Sequence, residues 1–581
     1  MIPKISEAKQ KIIDALNTIL KDGEVGTWIL ERQNVEKIRQ RFSHKVMALV
    51  SFDVDKIKDL VFASTKPLEV QGASEIVRDL TLNKGNENQK ELPECSVYSI
   101  IQKFGLSESN ILFAGGGTGL LLTPLAIAEK VSEEIRHGFA KHSMTGSCSV
   151  VWRGFSPYEL VMGPEMLFQQ IDTLPPGVSM ISNEHSDGMK FGRIIQLLAD
   201  QLRDHKDSRL TPSLPILPGF IHICESCGIR AATCYDRGQT DWLCQSCNEH
   251  RQRGRKERSE LQKHNDEFLT AEDISQIAGE EFGERGYVAV VHADVNGMGQ
   301  ILFDLGKMEE YTVFSQAVSY VMEKVTHDLV IKHRLKCRYQ APIIGGDDIL
   351  MIVPALKAAR MVSDLVIRVR TEFSRLADWI SVESSILSEK LRNLTISVGF
   401  VIVPSHFNIR FSVDYAESLL RSAKSETYIK GQECVDWMVI KEGSPLSTEI
   451  GSLREGALVR ESGREWKLTL TDKPVLLNRF NDMLKWISLM KQHSVSKSQL
   501  RNIQSLIEQE SPLVAKLNMR YQWLRTKEWE EFLKALEDSE ELTVSQEKWM
   551  ADFVMQEVRP RIYKTGFLDI MELYEFDGGL K

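Results

Sequence analysis

The stretch 339–353, YQAPIIGGDDILMIV, decides how the chain reads. Two short apolar runs rich in Ile, Leu, Met and Val flank Gly345-Gly346-Asp347-Asp348. Runs of that length and composition suit buried strands, and the glycines accept the positive φ of a tight turn. The prediction is a β-hairpin with two carboxylates at its tip. Adjacent carboxylates repel unless a cation lies between them, and Mg²⁺ shared with substrate phosphates is the usual answer. A solvated turn between two strands fits the same residues.

Working outward, 287–293 (YVAVVHA) is predicted as a strand that runs into Asp294-Val295-Asn296-Gly297. Residues 310–333 have helical periodicity, 355–379 form a second helix, 394–403 (LTISVGFVIV) a strand and 413–423 a helix. The same order occurs earlier in the chain. A strand at 45–52 runs into Asp53-Val54-Asp55, and a helix follows at 72–80. A hairpin with the tip Gly115-Gly116-Gly117-Thr118 comes next, then a helix from 124 with Pro in its first turn and a strand at 147–152. The fold class this implies is multidomain α+β: two copies of a βαββαβ, ferredoxin-like unit, the core of polymerase and cyclase palms. Only the second copy carries aspartates at its hairpin tip.

Between the copies, 211–219 is Pro-rich and reads as a linker. Cys224-Glu-Ser-Cys227 and Cys244-Gln-Ser-Cys247 follow, with sixteen residues between the pairs. Two such knuckles complete a tetrahedral Zn²⁺ shell, and four thiolates leave no open position, so the site is structural. Cys234 between them reads as a spectator thiol. The run 250–258 (HRQRGRKER) reads as a solvated helix face, with a phosphate-contacting patch on RNA as the alternative. Beyond 445 the pattern is helical at 478–492, 496–509, 527–536 and 546–558, with no catalytic cluster, which suggests a bundle packed on the palm or on neighbouring subunits. The expected domains are thus an N-terminal helical segment (1–45), a first palm with a helical extension (46–210), a zinc domain (211–280), a second palm (281–444) and a helical C-terminal domain (445–581).

The net charge of −9 argues against a generally basic nucleic-acid coat but permits a local groove. No apolar run approaches membrane-spanning length, and the N-terminus lacks the apolar core of a signal peptide, so a cytoplasmic protein without a membrane partner is expected. Nine cysteines suit that compartment as metal ligands or buried thiols.

In a palm, the end of the first strand lies beside the tip of the central hairpin. Asp294, Asp347 and Asp348 would then share one sheet edge, as two-metal nucleotidyl transfer requires. Gly345 and Gly346 would let a nucleotide approach closely, and Asn296 and Gly297 would turn the chain beneath a triphosphate. Lys424, read as following the last helix, could reach a phosphate; an exposed helix-end lysine fits as well.

These stretches together resemble the large palm-containing subunit of type III CRISPR–Cas effector complexes, of Csm and Cmr type. The resemblance is carried by 53–63 (DVDKIKDLVFA) with 72–75 (GASE), 112–117 (LFAGGG), the four cysteines, 293–299 (ADVNGMG), 345–348 (GGDD), and 397–400 (SVGF) with 416–424 (AESLLRSAK). It implies synthesis of cyclic oligoadenylates from ATP with Mg²⁺ or Mn²⁺ when a complex holding CRISPR RNA meets its target RNA. It also implies partner subunits, a small helical one among them. Asp347 and Asp348 would be catalytic and metal-binding with Asp294 assisting, and Gly115, Gly116 and Gly117 would line a second, non-catalytic ATP pocket. Many members begin with an HD phosphohydrolase domain. Only about 45 residues precede the first palm here, with His44 their one histidine, so no DNase activity is expected of this chain. The competing readings are a non-catalytic scaffold for guide RNA and small subunits, and a stand-alone palm cyclase of diguanylate-cyclase type.

Overall fold

Alternate residues of β1, Met47–Val54, enter two different cores. Met47 and Leu49 join one cluster, whereas Ala48, Val50, Phe52 and Val54 join the other. A strand buried on both faces needs an almost unbroken apolar run, and MALVSFDV supplies one until Asp53. The computed structural model describes residues 2–42, 44–81, 93–162, 190–208, 221–280, 286–441, 449–463, 465–538, 549 and 554–578.

The first sheet has the order β2-β3-β1-β4, with β2 at Ile111–Gly115, β3 at Thr118–Pro124 and β4 at Cys148–Phe155. All of its neighbours are antiparallel. Helices Pro67–Thr81 and Leu125–Ser143 pack on one face; Lys190–Asp207 packs on the other. A two-stranded ribbon of β5 (Cys234–Asp236) and β6 (Asp241–Leu243) comes next in the chain, and the second sheet repeats the first sheet's order with β7 (Tyr287–Val295), β8 (Gln340–Gly345), β9 (Asp348–Pro354) and β10 (Ile396–Pro404). It is then extended: β11 (Cys434–Val439) lies parallel to β10, and β14 (Val475–Leu476) pairs with β11. Helices Met308–Lys332 and Ala355–Ile380 cover one face, and Ile409–Lys430 runs along β10 on the other.

Three expectations are corrected. Lys424 does not follow the last helix; it lies within Ile409–Lys430, which continues to a left-handed Gly431 cap. The C-terminal region is not purely helical: β12 (Val459–Ser462), β13 (Trp466–Thr469), β15 (Gln556–Arg559) and β16 (Ile562–Lys564) form a small sheet. Its strands are too short for an alternating pattern to stand out, and 556–558 fall at the end of the stretch 546–558 read as a helix, most of which lies outside the described residues, as does the linker 211–219.

The basic run is neither a solvated face nor a free phosphate patch. It lies on helix Gln245–His264, where Arg251 is 1 % exposed and bonds Glu69, Asp236 and Asp241. Arg253 pairs with Asp79, Arg255 with Asp236 and Arg258 with Glu272. Arg251 and Arg253 dock this helix on Pro67–Thr81, and Arg255 and Arg258 are paired with acids of neighbouring segments. The axes come so close that a Cβ on Gly72 would overlap the His250 carbonyl, and one on Gly254 the Leu68 carbonyl.

Candidate active site

β7 and β9 are in antiparallel register with Asp294 opposite Asp348, and the Val295 N–H donates to the Asp347 carbonyl at 3.1 Å. The three aspartates therefore stand at one sheet edge. Gly345 and Asp348 close the β8–β9 hairpin, leaving Gly346 and Asp347 as its two-residue turn. Gly346 has φ +59°, and Asp347 is not in the left-handed region. Positive φ at the first turn residue alone is the signature of a type II′ turn, which admits a side chain second. In the first module Gly116 and Gly117 both have positive φ (+59° and +81°), the pattern of a type I′ turn.

Two of the three carboxylates, Asp294 and Asp348, have a specific side-chain partner. Lys424 Nζ lies 2.5 Å from Asp294 Oδ1. His292 Nε2 lies 2.7 Å from Asp348 Oδ1. Burial raises Asp294, opposed by Lys424. Burial also pushes Asp347 up, to about 6, with the negative charge of Asp294 adding to the effect. Burial acts on Asp348 too, but His292 beside it, with Lys58 and Lys424 further off, brings its carboxyl below the usual range. A buried cluster of acids with divergent proton affinities, next to a lysine, suits binding of a cation and phosphates. Asn296 spends its amide on Thr395 (3.1 Å) and Ser397 (2.9 Å), and Gly297 at φ +74° starts helix Met298–Asp304.

His292, Lys58 and the depth of Lys424's engagement escape a reading of the sequence. His292 sits in an apolar strand two residues before Asp294, and that period-two spacing is the signal that puts both on one face. Its other ring nitrogen, Nδ1, is buried without a hydrogen-bond partner.

The first module repeats part of this constellation. Asp53 stands opposite Thr118 and Ser149, as Asp294 stands opposite Asp348 and Ser397. Lys206 Nζ lies 2.5 Å from Asp53, as Lys424 does from Asp294. What the first copy lacks are the two tip aspartates, replaced by Gly117 and Thr118. The modules meet tip to tip. Gly115, Gly116 and Gly117 line a cavity of about 470 Å³, but its opposite wall is β8 of the second sheet. A smaller cavity of about 190 Å³ lies over Ser51 and Asp53 of the first sheet and is bounded by Gly346 and Asp347. Both cavities thus lie between the modules, each with one hairpin tip in its wall.

Cys224, Cys227, Cys244 and Cys247 bring their Sγ atoms within 4.8 Å of one another. Zn–S bonds of about 2.3 Å in a tetrahedron need S–S separations of just under 4 Å, so the cluster is compatible with zinc. Among the described residues it is the one group of three or more metal donors gathered that closely. Asp294, Asp347 and Asp348 are not gathered that closely, and two of them are engaged by Lys424 and His292. Cys234 is not in the cluster; its thiol points to the Leu243 carbonyl at 3.3 Å. No described helix is long and apolar enough to cross a membrane.

A comparison with curated proteins gives no match. Among solved structures, the chain is similar to the Csm1–Csm4 cassette in complex with cA4, at 13 % identity and TM-score 0.49, covering 93 % of this chain and 71 % of that one. It is also similar to Csm1 of T. onnurineus, at 15 % identity and TM-score 0.42, covering 78 % of this chain and 61 % of that one. Within the chain, residues 287–431 match the family model described as Cas10/Cmr2, second palm domain. That stretch runs from β7 to the Gly431 cap and holds Asp294, Asp347, Asp348 and Lys424, so the second sheet module is similar to a Cas10/Cmr2 second palm.

Proposed function

We propose that this chain is the large palm-bearing subunit of a type III CRISPR effector complex and that its second module joins ATP units into cyclic oligoadenylates. The observation that carries the reading is the in-register pair Asp294–Asp348 beside the Gly345-Gly346 tip, inside the segment similar to a Cas10/Cmr2 second palm. The strand order β10-β7-β9-β8, repeated as β4-β1-β3-β2, supports a ferredoxin-like layout for both modules. The domain limits proposed with it are 1–45 as an N-terminal helical segment, 46–210 and 281–444 as palms, 211–280 as the zinc domain and 445–581 as a largely helical C-terminal domain.

Asp294, Asp347 and Asp348 would hold Mg²⁺ or Mn²⁺, which when bound lowers the proton affinity of a 3′-hydroxyl and neutralises a triphosphate. The residues present do the rest. Lys424 favours the charged form of Asp294 against the effect of burial and would supply a point charge for a phosphate. His292 fixes one oxygen of Asp348 and leaves the other available. Gly346 carries no side chain at the tip, where a nucleotide must approach. Guide RNA, target RNA and further subunits would control access to this site, with the zinc site structural.

The test is incubation of the native complex with ATP or GTP and Mg²⁺, with and without target RNA, followed by mass analysis of products. Cyclic oligoadenylate is expected. Asp347→Ala with Asp348→Ala should lower it by on the order of a hundredfold to a thousandfold or more, the scale seen when transition-state charge stabilisation is removed. Absence of any nucleotide product from the RNA-activated complex would favour the scaffold.

A further inference from the structure

The first module sends a cation, Lys58, toward the second module's carboxylates. Its segment Asp53-Val-Asp-Lys-Ile-Lys58-Asp59 matches Asp294-Val-Asn-Gly-Met-Gly299-Gln300 position by position. Lys56 and Gly297 are both left-handed (φ +47° and +74°) and both start a short helix. Where the first module has Lys58, the second has Gly299, which faces open space.

Lys58 Nζ crosses the module boundary to Glu417 Oε2 at 2.9 Å, and beside it Arg410 reaches Asp59 at 3.0 Å. Glu417 and Lys424 lie two helical turns apart on one face of Ile409–Lys430. The strand register places Glu417's end of that face. Gly399 of β10 lies against the Ala416 carbonyl and the Leu420 N–H, and Gly399 is opposite His292. Ser397, bonded to Thr427 at 2.8 Å, is opposite Asp294. Two residues along a strand span about 7 Å. The carboxylates are therefore flanked by two lysines, Lys424 at the tip and Lys58 about one strand repeat behind, at the level of His292.

We propose that Lys58, supplied by the first module, is a phosphate-binding residue of the second module's nucleotide site, and that Glu417 holds it back until a triphosphate takes its place. The inference rests on the nucleotide reading above. Both members of the pair are about one-third exposed, at 31 % and 37 %, so a ligand can reach them. The raised charge density favours exchange: Lys58 trades one carboxylate for a polyanion. The depressed proton affinity of Asp348, to which Lys58 and Lys424 both contribute, is consistent with the placement.

Binding of a non-hydrolysable ATP analogue with Mg²⁺ to the full chain tests this, by calorimetry, on wild type, Lys58→Ala, Lys58→Arg, Glu417→Gln, Arg410→Ala and Lys424→Ala. A phosphate ligand predicts opposite signs for the two partners. Lys58→Ala should weaken binding about tenfold, Lys58→Arg should restore most of it, and Glu417→Gln should tighten it severalfold. Arg410→Ala, which breaks the neighbouring cross-module pair, should leave affinity unchanged. If Lys58→Ala and Glu417→Gln shift affinity in the same direction, or neither shifts it while Lys424→Ala does, Lys58 is only an interface ion pair and the proposal falls alone. If wild type binds no nucleoside triphosphate, the nucleotide reading falls and takes the proposal with it.

Discussion

Gly116 and Gly345, the tip glycines of the two hairpins, touch backbone to backbone. A Cβ built on Gly345 would stand 2.7 Å from the Gly116 Cα, and one on Gly116 would stand 2.9 Å from the Gly345 carbonyl carbon. Neither module can take a side chain there without moving the other. Gly345→Ala should therefore destabilise the chain by about 1–3 kcal/mol, the usual cost of overpacking. Gly299→Ala, facing open space, should cost well under that. Thermal unfolding of the two variants beside wild type checks the difference, with the Gly299 variant as the internal control.

Metal analysis of the purified chain should give about one zinc per molecule. Cys247→Ala should lose that zinc and unfold the segment around 221–264, because binding energy at a structural four-cysteine site is folding energy. Limited proteolysis, with and without a strong chelator, reads out the loss. A zinc content near zero in a chain indifferent to chelator would refute the assignment.

Arg251 and Glu69 are buried at 1 % and 0 % exposure. Arg251→Ala would leave Glu69 charged and unpaired in the interior, at a cost of about 3–5 kcal/mol. Arg255→Ala, at the more exposed end of the same network, should cost about 1 kcal/mol or less. Denaturant unfolding separates them. An equal, small effect would show that the run is a surface feature after all.

Cation binding should depend on pH through Asp347. Its folded-state carboxyl lies near 6 against an ordinary 3.8, so the metal-free fold binds this proton more tightly than the unfolded chain does. The associated stability is full below about 4 and is lost as pH rises through about 6. Metal requires the ionised form. Mn²⁺ affinity should therefore climb between about pH 5 and 7 and level off above, and Asp347→Asn should flatten that rise. Electron paramagnetic resonance titration of Mn²⁺ measures it.

His292→Ala should weaken Mn²⁺ binding severalfold by freeing the Asp348 carboxylate to rotate. His292→Gln, which can still donate to that oxygen, should recover much of the loss. If the two variants behave alike, the hydrogen bond at 2.7 Å does not position Asp348.

The duplicated order of strands and helices was legible because near-continuous apolar runs such as 287–293 and period-3.6 runs such as 355–379 are long and unambiguous. The hairpin tip was legible for a local reason, two glycines before two aspartates. What escaped was whatever depends on contacts between distant segments. Lys424 looks like a helix-end lysine until Gly431 is seen to cap the helix. The run 250–258 looks like a solvent face because nothing local announces that Glu69 and Asp79 lie opposite it. His292 looks like a lapse in an apolar strand until the register puts Asp348 beside it. Lys58 gains a meaning only when Gly299 is recognised as its counterpart.

Gly117 shows why the two halves cannot exchange roles by a single substitution. A Cβ there would meet Ile57 Cδ1 at 2.9 Å and Val77 Cγ1 at 3.0 Å, on a backbone with φ +81°. The neighbours of the first tip have closed over the position that Asp347 occupies in the second. Placing an acid at 117 would require a smaller residue at 57 or 77 and a different turn at once. The asymmetry of the two copies is therefore built into their packing: no single substitution at 117 makes the first tip a twin of the second.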